Sequence, residues 1–401
     1  MRKLIASLLK KQSIKYLVRS KAKVVAITGS IGKTSTTQAI ATVLEQQYSV
    51  RKTLHNYNTD VGVPCSIFAV ELPSNVKNPF SWLYILLKNQ FTLFFSKQHI
   101  DFFVLELGTD STGEIEQFSW LRPDINVVTA IAPEHMEQFV SIESVAKEEL
   151  QASHYSDVTI INKLMVDDKY LKHADTNELF SYDRSDVSVL IDLNRLNVVG
   201  SHSLDAVAAA IKVAKLLGLS DEKIIQGLLL IKSQKGRMNK LDGILSSILI
   251  DDTYNSSPEA VIAALDYLYE TDAVQKIALL GNMNELGEVS KQEHTNIGRY
   301  CEPQKLDLVV TLGPEANKYT AHAARANGCK VVTTATPYEA VDAIKEVLKN
   351  NSLVLLKGSQ NGVFAEEATK LLLADKADEV ELVRQSTFWD HKKSENFRNY
   401  K

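Results

Sequence analysis

The stretch Thr28-Gly29-Ser30-Ile31-Gly32-Lys33-Thr34 narrows the folds open to this chain more than any other. A β-branched run, Lys23–Thr28, precedes it, and a helical pattern, Gly32–Gln46, follows. Glycines between a strand and a helix let the backbone turn tightly and aim its N–H groups, with the helix N-terminus, at an anion. A lysine there supplies charge for phosphates, and the next hydroxyl can ligate Mg²⁺. Gly29, Ser30, Gly32, Lys33, Thr34 and Ser35 are therefore the candidate phosphate-binding residues. The commoner motif has glycine five residues before Gly32, where this chain has Ile27. The motif is a P-loop variant.

The alternation continues along the chain. Asp101–Leu107, Ile125–Ala130 and Val158–Asn162 read as strands, and Asp205–Leu217 as an Ala-rich helix whose N-cap is Asp205. A second run starts near residue 240, with strands Ser247–Asp251, Lys276–Leu280, Leu306–Leu312, Lys330–Thr334 and Leu353–Lys357. Its helices are Pro258–Tyr269, His294–Tyr300, Glu315–Asn327, Pro337–Lys349 and Phe364–Leu373. This pattern implies an α/β fold with mostly parallel sheets. The expected divisions are a leader at 1–23, a central domain at 24–236, a C-terminal domain at 237–385 and a polar tail at 386–401.

The chain's 401 residues carry 45 basic and 49 acidic side chains, and 45% are hydrophobic. A net charge of −4 gives no ground for whole-protein binding to nucleic acid. The charge is uneven, because residues 1–23 hold eight basic side chains and no acidic one. Three widely spaced cysteines, Cys65, Cys301 and Cys329, indicate neither a disulfide framework nor a CxxC metal site. A cytoplasmic location is expected, since the apolar run from Leu4 is cut short by Lys10 and Lys11. Phe80–Phe95 is apolar but interrupted by Lys88, Asn89 and Gln90, which disfavours a transmembrane helix.

Further segments extend the pattern set by the P-loop. They are His55-Asn56-Tyr57-Asn58 with Gly62 and Pro64, Glu106-Leu107-Gly108, and Pro133-Glu134-His135-Met136-Glu137. Asp251-Asp252-Thr253-Tyr254-Asn255, Leu280-Gly281-Asn282 and Lys357-Gly358-Ser359 follow. In type and order these resemble the motifs of the Mur ligase family, the ATP-dependent amide ligases of peptidoglycan precursor synthesis. The C-terminal segments resemble its MurF-type branch, which adds D-Ala-D-Ala to a UDP-muramoyl tripeptide. The resemblance implies a P-loop NTPase-like central domain, a Rossmann-like C-terminal domain, and ATP and Mg²⁺ as cofactors. It also implies small-molecule or peptide acid and amine substrates, joined through an acyl phosphate.

Residue by residue, the resemblance implies that Lys33 and Thr34 hold phosphates and a first Mg²⁺, with Glu106 near that metal. His135 would ligate a second Mg²⁺. Arg237, Asp252, Tyr254 and Asn255 would serve the nucleotide, and Asn56, Asn58 and Ser359 the substrate. Lys357 would sit near the acyl phosphate. Many family members carry a carbamylated lysine fourteen residues after the metal-binding histidine; Glu149 stands there. Glu149 could supply the carboxylate directly. A carbamylated Lys147 and a helix-surface Lys-Glu-Glu cluster are the alternatives. On the adenine side, Ser203 and Asp205 replace two asparagines, and Gln360 replaces an arginine after Ser359.

The family's UDP-binding domain is expected to be missing, because only a short basic segment precedes the first strand. That leaves another acid substrate open, such as a poly-amino-acid or lipid-linked precursor, and a partner that supplies recognition. A scaffold that has lost ligation is a further alternative; intact Lys33, Thr34, Glu106 and His135 argue against it. A GTPase is disfavoured, because Met165 stands where N-K-x-D needs aspartate. Residues 1–23 have the spacing of a basic amphipathic helix, which can pack on its own domain or touch anionic lipid. For Phe80–Phe95, packing against the protein is favoured over a membrane-facing surface.

Overall fold

The computed structural model describes residues 2–55, 57–73, 75–96, 98–133, 136–284, 286–360 and 362–397. The chain divides into two compact units, Met1–Leu196 with His202–Ile231, and Asn197–Ser201 with Lys232–Lys401.

The first unit opens with α1 (Arg2–Ser20), β1 (Lys23–Thr28), α2 (Lys33–Leu44), β2 (Val50–Lys52), α3 (Gly62–Phe68) and α4 (Pro79–Phe95). It continues through β3 (Phe102–Glu106), β4 (Ile125–Val128), α5 (Met136–Phe139), α6 (Ile142–Glu149), β5 (Val158–Asn162) and β6 (Glu178–Tyr182). Helices α7 (Ser185–Leu190), α8 (Ser201–Leu216) and α9 (Asp221–Leu230) complete it. The six strands form a parallel sheet in the order β2-β3-β1-β4-β5-β6. Val24, Val25, Ala26 and Ile27 of β1 are all buried, as a central parallel strand covered on both faces requires. The chain leaves β1 toward one edge, returns at β3, and crosses to β4 on the other side. The carboxyl end of β1 is therefore a topological switch point, where open α/β sheets bind ligands.

The second unit holds β7 (Asn239–Asp242), β8 (Ile248–Asp252), α10 (Pro258–Glu270), β9 (Lys276–Gly281), α11 (Ser290–Tyr300) and β10 (Leu308–Leu312). It ends with α12 (Ala321–Ala326), β11 (Val331–Thr334), α13 (Pro337–Val347), β12 (Leu353–Lys357), α14 (Glu366–Leu372) and α15 (Thr387–Asn396). Its sheet runs β11-β10-β9-β12-β8-β7, parallel except for the antiparallel β7–β8 pair. Strand β12 returns between β8 and β9, so the carboxyl ends of three strands lie side by side.

Several elements differ from the sequence reading. Edge strands β2, β6 and β7 were not expected, because none carries a buried apolar run. Asp205 is not an N-cap: α8 starts at Ser201, and Asp205 lies in its second turn, where its carboxylate pairs with Arg184 at 3.1 and 3.2 Å. The expected polar tail includes α15, whose Lys393 is buried and 2.6 Å from Glu367. Phe80–Phe95 packs only one face, through Trp82, Ile85, Asn89 and Leu93. The three cysteines are free and buried.

Helix α2, which carries Lys33, packs against α9 at Gly227. A Cβ on Gly227 would come within 2.7 Å of Val43 Cα. Alanine normally strengthens a helix interior by up to about 1 kcal/mol over glycine. Here overpacking should reverse that sign, so Gly227→Ala should destabilise the protein by about 1–3 kcal/mol. Urea unfolding checks this; an unchanged or higher midpoint would contradict the close α2–α9 contact.

Candidate functional site

The β1–α2 turn is built on two glycines in backbone conformations that leave little room for side chains of their own. Gly29 has φ 120° and Gly32 φ 87°, conformations that side-chain-bearing residues rarely adopt. A Cβ on Gly29 would lie 2.2 Å from Thr129 Oγ1 and 2.8 Å from the Ala130 nitrogen. Gly32 caps α2 without a side-chain hydrogen bond, so the first-turn N–H groups of Lys33, Thr34 and Ser35 have no capping side chain. Such a terminus favours negative charge.

Three neighbours hold the cradle. Thr129, at the end of β4, donates its hydroxyl to the Thr28 carbonyl at 3.0 Å and to the Ile31 carbonyl at 2.6 Å. The Ser30 N–H donates to the Ala130 carbonyl at 2.9 Å, and Ser30 Oγ accepts from the Ala132 N–H at 3.1 Å. Glu149, fully buried at the end of α6, accepts the Gly29 N–H on Oε2 at 2.5 Å. Its carbonyl accepts the Thr28 hydroxyl at 2.9 Å. The Lys33 ammonium turns back to donate to the Gly29 carbonyl.

The structure brings Glu106 and Asn58 together beside this turn. Asn58 Nδ2 donates to Glu106 Oε1 at 3.0 Å, and the Asn58 carbonyl accepts the Gly108 N–H at 3.0 Å. Glu106 Oε2 is buried without a hydrogen-bond partner among the described residues. An orphaned carboxylate oxygen needs a partner, and a hard cation or its water suits it. Asn58, Gly108 and Thr109 also line a cleft of about 480 Å³ that reaches Lys33. Across it, Arg2 and Asp60 pair at 2.8 Å.

Lys147 and Glu149 point to different environments. Lys147 is exposed, whereas Glu148 and Glu149 are buried, so a helix-surface cluster of all three does not exist. Glu148 accepts the N–H groups of Gly113 and Ile115 at 2.7 Å each, which ties down the loop after β3. His135 and Asn56 lie outside the described residues. Among the described residues, no group of three His, Cys, Asp or Glu side chains stands in metal-holding geometry. Magnesium commonly takes one or two protein oxygens and completes its shell with phosphates and water. The Glu106 oxygen and the Thr34 hydroxyl fit that pattern.

In the second unit, Lys357 ends β12 and is paired in register with Asp252 of β8. Its buried ammonium donates to Asp252 Oδ2 at 2.5 Å and to the Asn255 carbonyl at 3.2 Å. Ser359 Oγ donates to the Ser256 carbonyl at 3.2 Å and accepts the Asn284 N–H at 2.9 Å. The Arg237 guanidinium lies 4.4 Å from the Tyr254 ring centre, a cation–π contact. Arg384, not foreseen from sequence, donates to the Thr253 and Tyr254 carbonyls and pairs with buried Glu366 at 2.8 Å. It fixes the loop that carries Tyr254 and Asn255. Thr129 was also missed. Both act on backbone carbonyls, for which a sequence has no periodic signal.

A phosphate cradle at the switch point of a parallel sheet defines a nucleotide-binding α/β protein. A family profile described as the Mur ligase middle domain matches residues 27–203, and one described as the Mur ligase glutamate ligase domain matches 236–360. The chain belongs to the Mur ligase family. A UDP-N-acetylmuramoyl-tripeptide–D-alanyl-D-alanine ligase of Synechocystis sp. is 28% identical over 373 residues, covering 89% of this chain and 76% of that protein. The protein of the same name from Bacillus subtilis is 28% identical over 383 residues, with 89% and 77% covered. A crystal structure of MurF from Acinetobacter baumannii superposes with TM-score 0.72 at 23% identity, covering 94% of this chain and 80% of that one. MurF ligase from Thermotoga maritima in complex with ADP gives 0.68 at 22% identity, covering 94% and 84%. At such identities the structural likeness establishes the fold.

Asp251, next to Asp252, is fully buried, and burial chiefly pushes its carboxyl pKa up to about 7, with the charges of Asp252 and Glu366 adding to this. The Thr253 hydroxyl, 2.6 Å away, opposes the rise. Between the unfolded pKa near 3.8 and the folded value near 7, the folded state binds more protons than the unfolded state. Stability from this group is thus complete below the lower value and is lost as pH rises through the upper one. Asp251→Asn should remove that loss, raising stability at pH 8 relative to pH 5 by on the order of a few kcal/mol against the parent protein. Urea titrations at both pH values measure it; parallel pH profiles would refute the assignment.

Proposed function

We propose that this chain is an ATP-dependent ligase that joins an amine to a carboxylate through an acyl phosphate, in the synthesis of a peptidoglycan precursor. The observation that carries the reading is the glycine turn that starts α2 beside a cleft lined by Lys33 and Asn58, with Glu106 next to Asn58. The relatives' names support a muramoyl-tripeptide acid and D-Ala-D-Ala as the first pair to test.

The chemistry follows from the residue types. The substrate carboxylate oxygen attacks the γ-phosphorus of ATP, and the bond from that phosphorus to ADP breaks. The amine nitrogen then attacks the acyl carbon, the carbon–oxygen bond to phosphate breaks, and phosphate and a proton leave. Phosphoryl transfer of this kind depends on positioning and charge neutralisation. The first-turn N–H groups of Lys33, Thr34 and Ser35 orient the phosphates, and Lys33 turns from the Gly29 carbonyl to meet their charge. Thr34 and Glu106 would hold Mg²⁺, with His135 and Glu149 at a second ion. The metal supplies Lewis-acid stabilisation of the phosphoryl oxygens. Asn58 orients the substrate and holds Glu106. Lys357, held by Asp252 and the Asn255 carbonyl, serves the acyl phosphate, while Arg237, Tyr254 and Asn255 serve the nucleotide.

One observation favours a second reading. Gln360 stands where the family carries an arginine, and its carbonyl accepts Asn284 Nδ2 at 2.6 Å. Loss of that charge removes a partner for an anionic incoming substrate like the family's and supports a different acid, such as a poly-amino-acid or lipid-linked precursor. Phosphate release across a panel of acids and amines separates the readings; nucleotide binding without turnover on any pair would favour a scaffold. With the productive pair, Lys33→Met should lower kcat by roughly 10²–10³-fold, as removal of one transition-state donor does.

Glu149 makes a second prediction. Its burial against the Gly29 N–H supports it over exposed Lys147 as the carboxylate at this position. The parent enzyme should need no bicarbonate, and its native intact mass should show no carbamate. Bicarbonate-dependent activity, or a mass increment lost in Lys147→Arg, would overturn this assignment.

A further inference from the structure

Helix α4 has two faces. Trp82, Ile85, Asn89 and Leu93 point inward at helical spacing. Phe80, Leu83, Tyr84, Leu87, Phe91, Phe94 and Phe95 form the opposite stripe, each between 52% and 77% exposed. An asparagine caps the helix, with Asn78 accepting the Phe80 N–H at 3.0 Å, so this stripe sits on a defined helix. A contiguous exposed apolar face marks an interaction site.

Helix α1 lies beside it. Gln12 Nε2 donates to the Leu86 carbonyl at 2.9 Å, and Arg19 Nη2 to the Ser96 carbonyl at 3.2 Å. Ile5, Leu9, Ser13 and Tyr16 face the protein. On the flank that continues past Gln12, exposed Leu4, Leu8 and Val18 alternate with exposed Lys11, Lys15 and Arg19. The two outer faces adjoin through the Gln12–Leu86 contact. The sequence supplies no acidic residue from 1 to 44 or from 72 to 100.

We infer that α1 and α4 form one docking plate for an anionic lipid bilayer. Aromatic and aliphatic side chains flanked by lysines are what an in-plane helix buries at the headgroup boundary. The occupant follows from charge: a second copy would set basic plate against basic plate, whereas an anionic surface complements it. Among the described residues no helix is long and apolar enough to cross a membrane, so the contact is peripheral. The inference is independent of the reaction assigned above.

The full chain is sedimented with phosphatidylcholine vesicles, with and without phosphatidylglycerol. Binding should require phosphatidylglycerol and weaken at high salt. Phe91→Ser with Phe94→Ser, and separately Lys11→Glu with Lys15→Glu, should each lower the partition coefficient by at least about tenfold. These residues are exposed, so the far-UV circular dichroism and melting temperature should stay at parental values. Absence of binding to phosphatidylglycerol vesicles overturns the proposal. So does binding that both double variants retain, or a concentration-dependent dimer that the Phe91/Phe94 variant abolishes.

Discussion

The grip of Thr129 and Glu149 on the β1–α2 turn is the contact on which the rest of the proposed nucleotide site depends. A loop of left-handed glycines has little intrinsic preference for one shape, because glycine gives up the most conformational freedom on ordering. One hydroxyl bonded to two carbonyls and one buried carboxylate on the Gly29 N–H remove that freedom. They come from the carboxyl ends of β4 and α6, so the cradle forms only when the parallel sheet and its covering helix have assembled. The same contacts explain why position 29 excludes a side chain: Thr129 already fills the space a Cβ would take.

The interior strands and the P-loop were legible in the sequence because both rest on local patterns. β1, β5 and β12 coincide with their apolar runs, since a central parallel strand is buried on both faces. β2 and β6 were not legible: an edge strand is half wet, and VRK or ELFSY carries no buried run. The orientation of Glu149 was within reach. Val145, Ala146 and Leu150 form the apolar stripe of α6, and position 149 follows 145 by four residues, whereas 147 falls on the far side. Asp205 misled because aspartate is common at N-caps; its bidentate pair with Arg184 is a long-range contact that propensity does not register. Family resemblance singled out Glu106 as a metal residue and Asn58 as a substrate residue separately; their direct hydrogen bond is a long-range contact that the sequence did not announce.

The second unit concentrates buried charge at one sheet end. Lys357 with Asp252, and Arg384 with Glu366, are both withdrawn from water. Buried ion pairs add little net stability, because desolvation offsets their attraction. Well-packed apolar residues could fill the same volume. Arg384 justifies its position by holding the Thr253 and Tyr254 carbonyls, and Lys357 by reaching the Asn255 carbonyl. Both pairs therefore shape one loop, and that loop carries the residues assigned to the nucleotide.

A net charge of −4 conceals a division that matters more than the total. The eight basic residues of 1–23 stand against 37 basic and 49 acidic side chains in the rest of the chain. A uniform charge of that size would leave the protein indifferent to orientation near an anionic surface. The division does not: the plate is attracted while the acidic remainder is repelled, and both effects fall off within about a Debye length of roughly 8 Å at physiological salt. Attraction alone would hold the plate loosely. The exposed Phe and Leu stripe on α4 adds a short-range term that needs contact and is insensitive to salt. Charge then selects the approaching face, and apolar burial decides how long it stays.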